Sequence, residues 1–306
     1  MEHSSINNLN VSQTQQISVV VNVWGGDDAL CFRRSMSSIA GQSRRPDEVI
    51  IVVDGPISNE LEIAIQNFQQ QNTLPTKVID IPIQNGLWNA RNIGVRATAF
   101  EFVALHDADD VMHPKRLQIQ LTEMKRLSVD VCFTSVVEFN TKNGEIIGCR
   151  VNKHEVVDVR AIFWNNILSH SSAMFKRDVI IGIGGYRNVY FSEDYDLWLR
   201  LIISGKRIGQ SKLSLQALGI DSGHLNRRGG LRFVKSENSI HQILRGTHEF
   251  SSITLLIRKI IRLSYRLGPE LVRQTHRRQL NSRKICAFPT SITEFLDANP
   301  VDSGLR

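Results

Sequence analysis

FVALHDADD, residues 102–110, sets an apolar run directly against three carboxylates in four positions. Phe102 to Leu105 reads as a buried strand, and Asp107, Asp109 and Asp110 follow at its end. Crowded carboxylates repel one another unless a cation sits among them or a turn spreads them into water. Two readings stand. One is a site for a hard cation, which takes oxygen ligands, typically one or two carboxylates plus phosphates. The other is a solvated acidic turn with an Asp capping the helix expected after Pro114.

Reading upstream gives the frame. Ile17-Ser18-Val19-Val20-Val21-Asn22-Val23 is continuous and rich in Val, as expected of a strand buried on both faces. A loop, Trp24-Gly25-Gly26-Asp27-Asp28, leads into a helix over 29–42, with Asp28 placed to cap it. A second strand over 48–53 stops at the turn Asp54-Gly55-Pro56. Residues 60–71 read as a helix, 77–83 as a third strand and 89–99 as another helix. Strands and helices at this spacing predict a doubly wound, mostly parallel sheet. Ligands in such sheets lie beyond the carboxyl ends of the strands, where Asp54 and Asp107 fall.

Downstream the pattern is less regular. Residues 130–138 read as a strand, Asn143-Gly144 as a hairpin turn, 160–166 as a short helix and 172–175 as a strand. Gly184-Gly185-Tyr186-Arg187 reads as a loop. Ser192-Glu193-Asp194-Tyr195 opens a helix running to about residue 204, with Leu197, Trp198, Leu201 and Ile202 on its apolar face.

The 306 residues suffice for one large α/β domain with an appendage. The expected organisation is a flexible N-terminus (1–16), an α/β domain (17–235) whose two parts divide at 125/126, and a basic helical C-terminal extension (236–306). Four cysteines without a CxxC pair suggest neither a disulfide framework nor a zinc site, which fits a reducing cytosol. The polar N-terminus does not read as a signal peptide, and no apolar run approaches a membrane span. The formal charge is +7, and residues 245–284 alone carry ten Lys/Arg against two Asp/Glu. The basic character therefore belongs to the tail.

Two further groups have the residue types of a site. In Asn85-Gly86-Leu87-Trp88-Asn89-Ala90-Arg91-Asn92-Ile93-Gly94, a glycine turn opens a helix whose Arg91 either reaches a ligand near the helix start or lies in solvent. Glu193 and Asp194 open another helix. They are there either because the helix dipole favours carboxylates or because one acts as a general base toward an incoming hydroxyl.

Together these stretches resemble the family 2 glycosyltransferases, which have the GT-A fold. The resemblance is carried by ISVVVNVWGG (17–26), EVIIVVDGP (48–56), NGLWNARNIGV (85–95), LHDADDVMHPKRL (105–117), SHSSAMFKR (169–177), GGYR (184–187), SEDYDLWLRL (192–201) and NRRGG (226–230). It spans about seven-tenths of the chain, and the order and spacing of these motifs are its most specific aspect.

The resemblance implies that 17–235 is a GT-A glycosyltransferase domain, with a Rossmann-like nucleotide-sugar half (17–125) and an acceptor half (126–235), followed by a helical tail. It implies an inverting, hexosyl-type transfer from a nucleoside-diphosphate sugar, normally giving a β-linkage from an α-linked donor. Trp24 matches the first-loop aromatic that stacks on the base, while Asn22 stands where the family has Pro. Asp54 and Arg91 match the residues that hold base or ribose. Asp107 and Asp109 match the DxD pair, with Asp109 the main ligand of Mn²⁺ or Mg²⁺ and Asp110 left to cap the next helix. Asp194 matches the catalytic base, and Glu193 a residue positioning the acceptor or the loop. Asp196, two residues on, is expected to face solvent. Arg227 and Arg228 lie in a loop that either closes over the diphosphate or is a basic surface turn. His224 is set aside, because a lone histidine is more often structural.

The implied partners are the donor and a glycan or lipid-linked acceptor, in a setting of bacterial polysaccharide or lipopolysaccharide assembly. In the tail, Ile253, Leu256, Ile257, Ile260, Leu263 and Leu267 share one helix face, and Arg258, Lys259, Arg262 and Arg266 the other. That helix either packs on the domain with a basic outer face or lies on the anionic cytoplasmic leaflet as a peripheral anchor. With no aromatics interleaved among the tail's basic residues beyond Phe250 and Tyr265, nucleic acid is disfavoured. Two competing classes remain: a sugar-phosphate nucleotidyltransferase, whose first loop would be Gly-rich and basic where this one is acidic, and a non-catalytic binding protein. A dinucleotide oxidoreductase would show GxGxxG after the first strand, which is absent.

Overall fold

The expected alternation is realised in the first hundred residues of the computed structural model, which describes residues 15–220, 231–268 and 290–298. β1 (Ile17–Trp24), α1 (Ala29–Ala40), β2 (Glu48–Asp54), α2 (Asn59–Gln70), β3 (Thr76–Ile81), α3 (Leu87–Ala97) and β4 (Phe102–Asp107) follow in order. β1 pairs in parallel with β2 and β4, and β2 with β3. The strand order β3-β2-β1-β4 reverses between β1 and β4, a switch point of the kind beside which α/β sheets take their ligands. Alternate β1 residues feed two cores. Val20 packs with Ile50, Val52 and Leu105, while Val19 and Val21 pack with Phe32 and Met36 of α1. Burial on both faces is why the strand reads as an uninterrupted apolar run.

Local chemistry sets the helix starts. The Asp28 side chain accepts from the backbone N–H groups of Leu30 and Cys31, capping α1 as predicted. α3 lies close on the sheet because Gly94 has no side chain: a Cβ there would sit 2.5 Å from Val20 Cγ1.

The second half comprises β5 (Val111–Met112), α4 (Arg116–Leu127), β6 (Val131–Asn140), β7 (Ile146–Arg150), β8 (Val156–Val157), β9 (Met174–Lys176), α5 (Arg177–Gly182), α6 (Glu193–Ile203) and β10 (Ile208–Ile220). β9 runs antiparallel between β4 and β6, and β10 is parallel to β6. All ten strands described belong to one sheet. The predicted turn at Asn143-Gly144 joins β6 to antiparallel β7, with Gly144 at φ 74°.

Residues 160–166 form turns, not the expected helix. The Phe163 carbonyl accepts from Arg258 Nε at 2.5 Å, and the Ile162 carbonyl from the Tyr195 hydroxyl. Carbonyls that a helix would use internally are thus engaged by distant side chains.

The tail forms α7 (Leu231–Gly246), α8 (Ser252–Leu267) and α9 (Ile292–Asp297). Position 235 lies inside α7. Ile240, Leu244 and Leu255 share a core with Trp198 of α6, and Phe295 of α9 packs with Val111, Val137 and Phe139. α8 turns its arginines inward, against the expectation of a basic outer face. Arg258 and Arg266 are buried, while Ile253, Leu256, Ile257, Ile260, Ile261 and Leu267 are exposed. The cause is Glu237 of α7, buried beneath α8, which draws Arg262 to 2.7 Å and Arg266 to 3.0 Å. No helix among the described residues is long and apolar enough to cross a membrane.

Candidate active site

The carboxyl ends of β1, β2 and β4 bring the first predicted residues together. Trp24 stands opposite Asp54 in the β1–β2 register, and Asn22 opposite Asp107 in the β1–β4 register. The Trp24 ring lies against Gly26, where a Cβ would come within 2.3 Å of it. Buried Asp54 accepts from the Asn85 backbone N–H at 3.1 Å, tying the end of β2 to the loop that starts α3. That loop turns at Gly86, φ 90°.

Arg91 lies one turn into α3 and is buried, not solvated. Its Nη1 donates to Glu193 Oε1 at 2.6 Å. Burial opposes the charge, but Glu193, Asp107 and Asp194 outweigh it and raise the pKa of the guanidinium. One arginine from α3 thus meets the helix start that carries Glu193 and Asp194. Asp194 is partly exposed beside it. Its Oδ2 accepts from Asn166 Nδ2 at 2.9 Å and its Oδ1 from the Tyr195 backbone N–H at 2.7 Å.

The acidic cluster divides three ways. Asp107 is partly exposed at the end of β4; burial raises its pKa, Arg91 counters and Glu193 adds. Asp109 is held well above the usual carboxylate range by burial and then by Asp110, Asp107 and Asp27. Asp110 does not cap α4, whose start has no side-chain cap. It is buried, accepting from the Ser171 hydroxyl, from Gln216 Nε2 at 3.0 Å and from the Gly219 backbone N–H at 3.0 Å. Burial and neighbouring Asp107 push it up to about 7. A capping position would have left it in solvent, but β10 crosses directly over the turn. A Cβ at Gly219 would lie 2.4 Å from the Asp109 carbonyl oxygen.

Asp196 also departs from expectation. It is buried, 2.7 Å from Arg200, and Arg200 donates to the carbonyls of Ile183 and Gly185. The pair fixes the Gly184-Gly185 turn, both of whose glycines have positive φ. Asn92 of α3 clamps the same turn, giving and taking 2.8 Å bonds with the Tyr186 backbone. A Cβ at Gly185 would strike Asn92 Oδ1 at 2.2 Å. Asn166, Asn92, Ser171 and Gln216 are the supporting residues that sequence reasoning did not single out. Only the adjacent glycines of GGYR carried a signal, that of a tight turn. Arg227, Arg228 and His224 lie outside the described residues.

The residues present fit a divalent cation with a diphosphate. The like charges of Asp110, Asp107 and Asp27 raise the proton affinity of Asp109, and Asp107 that of Asp110, and a cation relieves such crowding. Among the described residues no group of three His, Cys, Asp or Glu side chains converges as a complete metal site, so ligand oxygens would complete the shell. Arg91 Nε and Asn22 Oδ1 are buried without a partner among the described residues.

A mostly parallel sheet with a switch point between β1 and β4, and the α6 carboxylates brought to the end of β4 by Arg91, is the arrangement of the GT-A fold. Residues 18–194 match the glycosyl transferase family 2 profile, more than half of the chain, and the chain belongs to that family; it is a glycosyltransferase. It is 25% identical over 259 residues to the amylovoran biosynthesis glycosyltransferase AmsE of Erwinia amylovora, covering 84% of this chain and 96% of that one. It is 27% identical over 259 residues to the UDP-Gal:alpha-D-GlcNAc-diphosphoundecaprenol beta-1,3-galactosyltransferase of Escherichia coli, covering 84% and 93%. In fold it is similar to S. aureus TarS 1–349 in complex with UDP-GlcNAc, with a TM-score of 0.62 and 17% identity over 89% of this chain and 77% of that one. It is also similar to the mannosyltransferase PcManGT from Pyrobaculum calidifontis in complex with GDP-Man and Mn²⁺, with a TM-score of 0.57 and 14% identity over 85% and 74%.

Proposed function

We propose that this glycosyltransferase moves a sugar from a nucleoside-diphosphate sugar, a UDP-sugar in the first instance, to a hydroxyl of a glycan or lipid-linked acceptor, with inversion. The observation that carries the reading is the Arg91–Glu193 contact at 2.6 Å, which draws the α6 carboxylates to the cleft holding Asp107. The relatives' names, with a UDP-sugar donor and a diphosphoundecaprenol acceptor in one of them, favour this donor and acceptor chemistry.

Trp24 stacks on the base and Asp54, braced by Asn85, holds base or ribose. Arg91 sets the edge of the donor pocket and keeps Glu193 in place. Arg227 and Arg228 are assigned to the diphosphate. Asp107 and Asp109 would hold Mn²⁺ or Mg²⁺, which when bound would neutralise charge on the nucleoside diphosphate. Asp194, its carboxylate fixed by Asn166 and the Tyr195 N–H, takes the proton of the acceptor hydroxyl as that oxygen attacks the anomeric carbon. The anomeric carbon–phosphate oxygen bond breaks in the same displacement. A lipid-linked acceptor would place the enzyme at the cytoplasmic membrane surface.

Transfer from a panel of nucleotide-sugars, with and without Mn²⁺, tests the reading. Asp109→Ala should abolish the metal-dependent thermal shift given by UDP. Asp194→Asn should keep that shift and lower transfer by roughly 10²–10⁴-fold, the usual worth of a general base. No turnover with any donor, together with no shift by UDP and Mn²⁺, defeats the proposal. Full activity in Asp194→Asn defeats the base assignment.

A further inference from the structure

We infer that α8 is a lipid-docking helix whose outward apolar stripe seats the enzyme on an anionic bilayer. The stripe consists of Ile253, Leu256, Ile257, Ile260, Ile261 and Leu267, each 47% to 72% exposed. Ile253 to Ile261 recur at three- and four-residue steps and Leu267 lies seven residues beyond Ile260, so they share one face of a 16-residue helix about 24 Å long. Ser264 lies within the stripe and Ser252 at its start, both exposed.

The orientation of α8 is costly in water alone. The helix has a basic face to offer to solvent, yet Arg258 is completely buried and Arg262 and Arg266 nearly so, all three grouped on the single carboxylate of Glu237. Arg258 also donates to the Phe163 carbonyl, and Arg266 lies 4.4 Å from the Phe233 ring centre. Burying three guanidinium groups while exposing six aliphatic side chains reverses what hydration favours. An apolar solvent on the outer side removes the contradiction, and a contiguous exposed patch of this kind marks a contact surface.

Charge decides the occupant. Residues 245–284, which include α8, carry ten Lys/Arg against two Asp/Glu; with Arg258, Arg262 and Arg266 turned onto Glu237, seven basic residues remain against those two. Lys259 flanks the stripe and Arg245 is exposed on α7. A second copy docking through the same face would bring two such basic stretches together across a two-fold axis. A bilayer rich in anionic headgroups attracts them.

Position fits as well. Phe233, beneath Arg266, stacks on exposed Phe191 at 5.9 Å, and Phe191 precedes Glu193 by two residues. The docking face is therefore tied to the acceptor side of the cleft. The benefit of docking, delivery of a lipid-linked acceptor, rests on the function proposed above; the docking itself does not.

The test is sedimentation of the full chain with vesicles of phosphatidylglycerol and phosphatidylcholine, against phosphatidylcholine alone. The protein should partition to the anionic vesicles, and less so as salt is raised. Leu256→Asn combined with Ile260→Asn should weaken partitioning by about tenfold or more, with melting temperature and the UDP-induced thermal shift unchanged. Ile63→Asn, an equally exposed aliphatic on α2, should leave partitioning unaltered. Failure of the wild type to bind anionic vesicles overturns the inference, as does equal binding by the double variant. A wild-type dimer that the double variant dissolves, without any change in vesicle binding, reassigns the stripe to a second copy. Because vesicle binding is read without turnover, its loss is distinct from failure of the donor panel.

Discussion

Two buried arginine–glutamate clusters organise this molecule, and they differ in balance. At the cleft, one arginine meets one glutamate: Arg91 and Glu193, both nearly inaccessible and 102 residues apart in the chain. In the tail, three arginines of α8 crowd one glutamate of α7. The first pair is flanked by further carboxylates, so its arginine is held strongly charged and available to a ligand. In the second, burial dominates: Arg266 is pulled down by desolvation and by Arg262, while Glu237 stays low because Arg262 and Arg266 outweigh its own burial. The same ion-pair chemistry serves the joining of two half-sites in one place and the inversion of a helix in the other.

Breaking each cluster separates these roles. Arg91→Ala should have the largest effect, because it strands Glu193 and empties the cleft at once. It should cost about 3–5 kcal/mol of stability in denaturant titration. It should also lower transfer by at least about 10²-fold, so a variant with near-normal turnover would show that the pair is only structural. Glu237→Gln should destabilise by about 3 kcal/mol, leaving three guanidinium groups without a carboxylate. Hydrogen exchange should localise that loss to α7 and α8, with the UDP thermal shift retained in the folded fraction.

Next in size is a pH effect at the cleft. Asp110 is raised to about 7 in the folded protein from an ordinary 3.8, so between these values the native state binds more protons than the unfolded one. Its contribution to stability is therefore present below about pH 4 and lost as pH rises through about 7. Asp110→Asn should flatten the stability profile across that window in metal-free buffer; an unchanged slope would remove Asp110 from the account. Arg160→Ala should do least. Arg160 and Glu249 form an exposed pair at 3.2 Å, and its loss should stay below about 1 kcal/mol.

Much of the first half of the chain was legible because its signals are local. The apolar run of β1, the Asp28 cap and the carboxylates at the end of β4 each depend on neighbours a few residues away. The acidic cluster was legible as a cluster, but its division of labour was not. Asp110 reads as a cap because only position is visible in sequence; β10, more than a hundred residues away, buries it. Asp196 reads as solvated for the same reason, yet Arg200 and the Gly184-Gly185 turn enclose it. Asn166 carried no signal, since it belongs to turns held in place by Tyr195 and Arg258.

What the sequence determined by itself is the order of strands and helices, the position of carboxylates at strand and helix ends, and the amphipathic character of residues 253–267. Backbone propensity and apolar periodicity act over a few residues, so these are written in the chain. Tertiary structure alone decided which charges meet and which face of a helix looks outward. Arg91 finds Glu193, and Glu237 turns three arginines inward, because a buried charge must be answered by whatever partner the packing supplies, however distant in sequence.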